Sequence, residues 1–363
     1  MDADRYFGRN YPSARATFLN ACKKHGVFAG SFLNENGRGP DGEPLLCDTA
    51  YWGDPDADKL IVVSSGTHGA EAGCGSAIMS AWIDILSDKP LPDDVVVLFI
   101  HTLNPWGFAH MARTTEDNVD LNRNFIDFNV GAPENADYAM LHSVFTPKNW
   151  SAGARDEIFS DMRDFHQQHG DGAFLNAMRA GQYQFADGIG YGGRRPAWSR
   201  QIFEHMVKSV GARRLRAAYV DLHTGVGEYA KPAFICFHEP QSDAHKRAVA
   251  WWGLGEGRPD GQLTEKKVNY NGTILQAFPR LLPDVETTVT CLEFGTLPME
   301  EVQLAIIADN WLRRPQSAGR EGGAEARALI RNAFCPDDPY WRGQALNKGV
   351  EILNKTVEGI SAE

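Results

Sequence analysis

LIVVSSGTHGAEAGCGS, residues Leu60 to Ser76, runs from a β-branched stretch straight into a glycine-rich loop. Its first part, with Lys59 to Ser65, shows no alternation of polar and apolar residues, the pattern of a strand buried on both faces. The loop that follows carries His68 and Glu71, three positions apart. Two readings stand. Either this is only the turn after a buried strand, or the strand delivers two metal ligands to a site. An HxxE pair alone is weak evidence, because residues three apart are neighbours on any helix surface. Of the 11 histidines, however, only His68 has a glutamate at that spacing, and GTHG suits a backbone turning sharply away from a strand end.

Similar apolar runs recur at Val95–Thr102, Ala217–Leu222, Ala233–Phe237 and Thr288–Gly295. Helical spacing is read at Tyr11–His25, Ala72–Ser87 and Gln303–Arg314. Apolar strands separated by helices predict an α/β fold: a doubly wound, mostly parallel (mixed) sheet with helices on both faces. Asn34–Pro44 reads as turn chemistry throughout, and Ser317–Arg327 as a flexible surface connection. No linker marks a boundary, so a single domain over 1–363 is expected. Between Asn124 and His223 lies a long polar, aromatic and glycine-rich segment, which includes GQYQFADGIGYGGRRPAWS at Gly181–Ser199. A pocket wall or lid at about 130–215 and an ordinary peripheral insertion are both open for it.

The chain has 363 residues, 43% of them hydrophobic, enough for a large core. A formal net charge of −11 argues against a nucleic-acid partner, which needs a basic stripe. No stretch has the apolar length of a membrane span, and the N-terminus lacks a secretory pattern. The six cysteines are scattered without a CxxC pair, as expected of a reduced, cytoplasmic protein. Nothing here sets the oligomeric state.

In open α/β sheets, ligands bind beyond the carboxyl ends of the strands. The first run ends in His68 and Glu71. The second leads to Arg113 and to NVDLNRNF at Asn118–Phe125, the third to Asp221 and His223, the last to Glu293. His68, Glu71 and His223 form a set of the kind that holds a catalytic zinc through three protein ligands. His223 alone is equally a hydrogen-bonded turn residue. Asp221, two positions earlier, shares its face of an extended chain. It either orients a metal-bound histidine or caps the following turn. Glu293 ends an apolar strand, where a carboxylate costs desolvation unless it is paired or works. A general base and a structural salt bridge are both open. Asn122 and Arg123 hold a substrate carboxylate or stabilise their own loop, and Arg113 polarises a carbonyl or is simply solvated.

The motifs HGAE at His68–Glu71, DLNRNF at Asp120–Phe125, DLHTG at Asp221–Gly225 and LEFGT at Leu292–Thr296 occur in that order. Together they resemble the zinc metallocarboxypeptidase superfamily, which includes carboxypeptidase A-like enzymes and the succinylglutamate desuccinylase/aspartoacylase deacylases. The opening RYFGRNYPSARATF and the block NPWGFAHMARTTEDNVDLNRNF look like a bacterial branch of it. The resemblance implies a carboxypeptidase-like fold and one zinc ion held by His68, Glu71 and His223. It implies Glu293 as general base, Asn122 and Arg123 as binders of the substrate's terminal carboxylate, and Arg113 as the oxyanion arginine. Tyr270, in VNYNGT, matches the mobile tyrosine of carboxypeptidases, although no motif fixes it.

The expected activity is hydrolysis of an amide bond next to a free carboxylate, on a small peptide or an acyl-amino acid. An N-acyl amino acid deacylase with the same metal set is the alternative. A non-catalytic zinc or ligand-binding protein is the third.

Overall fold

The structure is a computed structural model and describes residues 2–86, 90–253, 268, 270–314 and 321–362. The described residues form seven strands: β1 (Phe28–Arg38), β2 (Pro44–Gly53), β3 (Lys59–Ser65), β4 (Val95–His101), β5 (Arg216–Tyr229), β6 (Pro232–Ile235) and β7 (Glu286–Gly295). They make one sheet in the order β1-β2-β4-β3-β5-β7-β6. The four inner strands, β4, β3, β5 and β7, are mutually parallel. The flanking strands β2, β1 and β6 are antiparallel. The sheet is therefore mixed, with the expected parallel centre.

The missing alternation in the inner strands has a direct cause. On β3, Ile61 and Val63 enter one apolar layer while Leu60 and Val62 enter the other. On β4, Val97 and Phe99 are divided from Val96 and Leu98 in the same way. Helices Tyr11–Lys24, Ala72–Leu86, Asp243–Trp252 and Pro339–Ser361 cover the first face. Helices Trp198–Gly211 and Ile274–Leu281 cover the second. Both sides of each strand leave water, so both must be apolar.

Some expectations need correction. Asn34–Pro44 is not all turn: β1 continues to Arg38, and the turn is confined to 39–43, where Gly39 N donates to Glu43 O at 3.0 Å. β1 is an edge strand with mostly exposed positions, so burial imposes no apolar run on it. The Ser317–Arg327 connection gives way to the helix Gly323–Phe334, with Ala326, Ile330 and Phe334 buried; residues 317–320 lie outside the described part. The helix read at Ala72–Ser87 runs Ala72–Leu86, and Ser87 also lies outside. The C-terminal helix Pro339–Ser361 was not foreseen. Asp338 caps it by accepting from Trp341 N, and Trp341, Leu346 and Leu353 are fully buried.

Within the long segment before β5, helices Ala136–Phe145 and Ala152–Arg179 build a third apolar cluster against the helix Met299–Leu312. The longer of the two is interrupted at Gly170, whose φ of 79° leaves the helical region. Among the described residues, no helix is long and apolar enough to cross a membrane.

Candidate metal centre

The strand order reverses at β3: the chain goes from β3 outward to β4 on one side and returns to β5 on the other. The carboxyl ends of β3 and β5 are thus neighbours at the switch point, where such sheets open a crevice. Gly66 begins the exit from β3 with a φ of 69°, and a Cβ there would overlap Thr102 Oγ1. That turn leads to His68 and then to a short 3-10 turn, Gly69–Glu71, which runs on into the helix Ala72–Leu86. His223 lies on β5, 152 positions beyond Glu71, yet its Nδ1 is 2.8 Å from Glu71 Oε2.

Single donor atoms of His68, Glu71 and His223 lie within 4.8 Å of one another, and all three side chains are buried. The two imidazoles are oriented alike. His68 turns Nε2 to Asp120 Oδ1 at 3.1 Å, and His223 turns Nε2 to Asp221 Oδ2 at 2.6 Å. An ionised carboxylate only accepts, so each Nε2 carries a proton, and in the metal-free protein His223 Nδ1 carries one as well toward Glu71 Oε2. Each Nδ1 therefore faces the gap beside Glu71. His68 Nδ1 is 3.0 Å from Glu71 Oε1 but makes no hydrogen bond to it. Once a cation displaces the His223 Nδ1 proton, two imidazole nitrogens and one carboxylate would be presented to it, a donor set that fits a divalent cation such as zinc.

The aspartates are themselves held. Asp221 accepts from Ser64 Oγ at 2.5 Å and from Thr67 Oγ1 at 3.0 Å. Ser64 is its partner across the parallel β3–β5 pair. Asp120 caps the short helix Leu121–Asn124, accepting from Asn122 N at 2.9 Å, and lies 3.5 Å from the Arg113 guanidinium. Burial opposes the ionisation of Asp120, but Arg113, with His68 and Arg123, holds its carboxyl well below the usual range. Burial likewise opposes the ionisation of Glu71, and His68 and His223 outweigh it.

Glu293 reaches the same place by strand register. His223 and Glu293 are partners in the parallel β5–β7 pair, as are Asp221 and Cys291. Burial, reinforced by the charge of Glu71, pushes the Glu293 carboxyl up to about 7. It accepts from Val226 N at 3.4 Å and lies 3.8 Å from Cys291 Sγ. Among the described residues it has no salt bridge to an arginine, the alternative that the sequence left open.

A cavity of about 150 Å³ is lined by His68, Glu71, Arg113, Asn122, Arg123, His223, Tyr270 and Glu293, while Asp221 stands behind His223. Arg113 is not solvated: its Nη1 donates to Glu71 Oε1 at 2.9 Å. Asn122 accepts from Ile274 N at 3.1 Å, which ties its loop to the helix Ile274–Leu281. Arg123 is buried, donates to the carbonyls of Asn122 and Arg179, and lies under the Tyr270 ring, 5.6 Å from its centroid. Sequence reasoning gave no role to Asp120, Ser64 or Thr67. Asp120 carried one usable signal, an N-cap residue directly before LNRN. Ser64 and Thr67 carried none.

The sheet and its covering helices form a carboxypeptidase-like α/β fold. Bovine thrombin-activatable fibrinolysis inhibitor, solved in complex with tick carboxypeptidase inhibitor, is similar over 99% of each chain, with a TM-score of 0.54 and 10% identity. The carboxypeptidase A of Helicoverpa armigera aligns over 90% of this chain and 74% of its own, with a TM-score of 0.46 and 12% identity. A metallo-carboxypeptidase from Burkholderia cenocepacia aligns over 98% and 72%, with a TM-score of 0.47 and 10% identity. At such identities the likeness is one of fold. No curated protein sequence matches the chain. Residues 7–348 match the family described as "Protein of unknown function (DUF2817)", and the chain belongs to that family.

Proposed function

We propose that this protein is a zinc-dependent hydrolase that cleaves an amide bond next to a free carboxylate, in the manner of a carboxypeptidase. The paired orientation of His68 and His223, each anchored through Nε2 on a buried aspartate, is the observation that carries this reading. His68, Glu71 and His223 would hold one zinc ion. When bound, zinc supplies Lewis acidity, polarising the scissile carbonyl and acidifying water. Glu293 takes a proton from the attacking water and gives it to the leaving nitrogen, so the products are a carboxylic acid and an amine. A carboxyl pushed up to about 7 by burial is matched to both halves of that transfer near neutrality. Arg123 and Asn122 bind the substrate's terminal carboxylate, and Tyr270 closes that end. Arg113, fixed by Glu71 and Asp120, faces the charge that develops on the carbonyl oxygen. The chain is one catalytic domain whose 130–215 segment walls the pocket, and its six free thiols suit a reducing, cytoplasmic setting.

The small cavity favours a second reading on the same residues, an N-acyl amino acid deacylase. A panel separates the two. Zinc-loaded protein is expected to cleave short peptides with a free C-terminus and to spare the amidated forms. Turnover of N-acyl amino acids alone would select the deacylase. Equal turnover of free and amidated substrates would remove the carboxylate requirement from both.

The aspartate anchors have their own consequence. Asp120→Asn leaves His68 a less basic, weaker electron-pair donor, and zinc affinity is expected to fall by about 10–100-fold. Competition against a chromophoric chelator measures this. Unchanged affinity would mean that His68 does not act as a ligand braced by Asp120.

A further inference from the structure

Three arginines line the cavity: Arg113, Arg123 and Arg179. Arg113 is matched by Glu71 and Asp120. The other two are not. Arg123 uses two of its five donor hydrogens on backbone carbonyls, and its Nε is buried without a partner. Arg179, the last residue of the helix Ala152–Arg179, is half-buried at the cavity wall. Among the described residues, neither Arg123 nor Arg179 pairs with a carboxylate.

The two residues are locked together. The Arg179 carbonyl accepts from Arg123 Nη2, which brings the helix end up against the guanidinium. Gly181, with a φ of 85°, lets the backbone lie directly on the Arg123 side chain, where any Cβ would overlap it. Asn135 Nδ2 donates to Gly181 O at 2.9 Å and fixes this crossing from the insertion side. Asp120, already shared by Arg113 and His68, is a charge partner of Arg123 but makes no ion pair with it, so these cations keep a desolvation cost that an arriving anion offsets. The nearest fixed acids are already engaged by Arg113 and the histidines.

We propose that Arg179 is a specificity-determining residue that binds the substrate carboxylate jointly with Arg123, so that the inserted helix carries half of the carboxylate site. This rests on the hydrolase reading above and extends it to a residue from outside the strand ends. The neighbouring wall of Ile235, Phe237 and Leu275 is apolar, so the probe is an aromatic amino acid derivative.

The test is binding rather than turnover. Zinc-loaded Glu293→Gln protein is titrated calorimetrically with N-acetylphenylalanine and with N-acetylphenylalaninamide. The acid is expected to bind more tightly than the amide. Arg179→Ala is expected to weaken the acid by about tenfold or more and to leave the amide unchanged. Arg179→Lys is expected to recover part of the loss, and it also serves if the alanine variant folds poorly. An acid-over-amide preference that survives Arg179→Ala overturns the role of Arg179 alone. Equal weakening of acid and amide overturns it too, since that is the mark of a merely structural residue. Absence of any preference while Arg179 is present overturns the carboxylate requirement itself, and this proposal with it.

Discussion

Glu293→Gln is expected to lower kcat by about a thousandfold or more while leaving one zinc bound per chain. The amide has nearly the shape of the carboxyl but cannot accept the proton of water. Val226 N can still donate to its oxygen, so the local packing is kept. The loss falls on the chemical step, and KM is expected to move little. Wild-type activity carries the matching pH signature. Burial and the charge of Glu71 raise the Glu293 carboxyl to about 7, so the basic form is lost as pH falls through that value. A cation bound at His68, Glu71 and His223 favours the carboxylate and moves this limb to lower pH. The acid limb of kcat/KM is thus expected at or below about 7, and it should vanish from the residual activity of the glutamine variant. Near-normal turnover by zinc-loaded Glu293→Gln would falsify the general-base assignment.

Removal of the metal is the second large effect. Chelation is expected to abolish activity, and one equivalent of zinc to restore it. The same treatment is expected to lower the thermal midpoint, because a ligand that binds only the folded state stabilises it. At free zinc about a thousand times Kd, the gain is about 4 kcal/mol. Without the cation, the gap holds the Glu71 carboxylate between two imidazoles. Burial disfavours a charged His223, but Asp221 and Glu71 together raise its pKa well above the usual histidine value. A proton then does part of the work of the metal, so the metal-free protein is expected to stay folded. Calorimetric scans with and without zinc measure the shift. In His223→Ala the zinc-dependent shift is expected to disappear, and if it persists undiminished the ion binds elsewhere.

The inner strands were legible because burial on both faces forces an apolar run, and a run is visible without knowing its neighbours. Lys59–Ser65 is read and found with the same ends. The hairpin of β1 and β2 was not legible, because an exposed edge strand is under no such constraint. Nor was the C-terminal helix, whose buried Trp341 and Leu353 pack on elements far away in the chain. For Arg113 the sequence leaves a carbonyl-polarising and a solvated residue both open, and the ion pairs with Glu71 and Asp120 exclude the solvated one.

By itself, the sequence determined the parallel centre of the sheet and the order in which polar residues follow its strands. Composition and local periodicity suffice for that, since each reports burial within one short segment. Only the tertiary structure decided which of those residues meet. The switch at β3 sets Glu71 beside His223 across 152 positions. The β5–β7 register sets Glu293 beside His223. The buried aspartates settle which nitrogen of each imidazole faces the gap. The helix Ala152–Arg179 brings the Arg179 carbonyl against Arg123. These are contacts between distant segments, fixed by topology and register, and no local pattern in the chain encodes them.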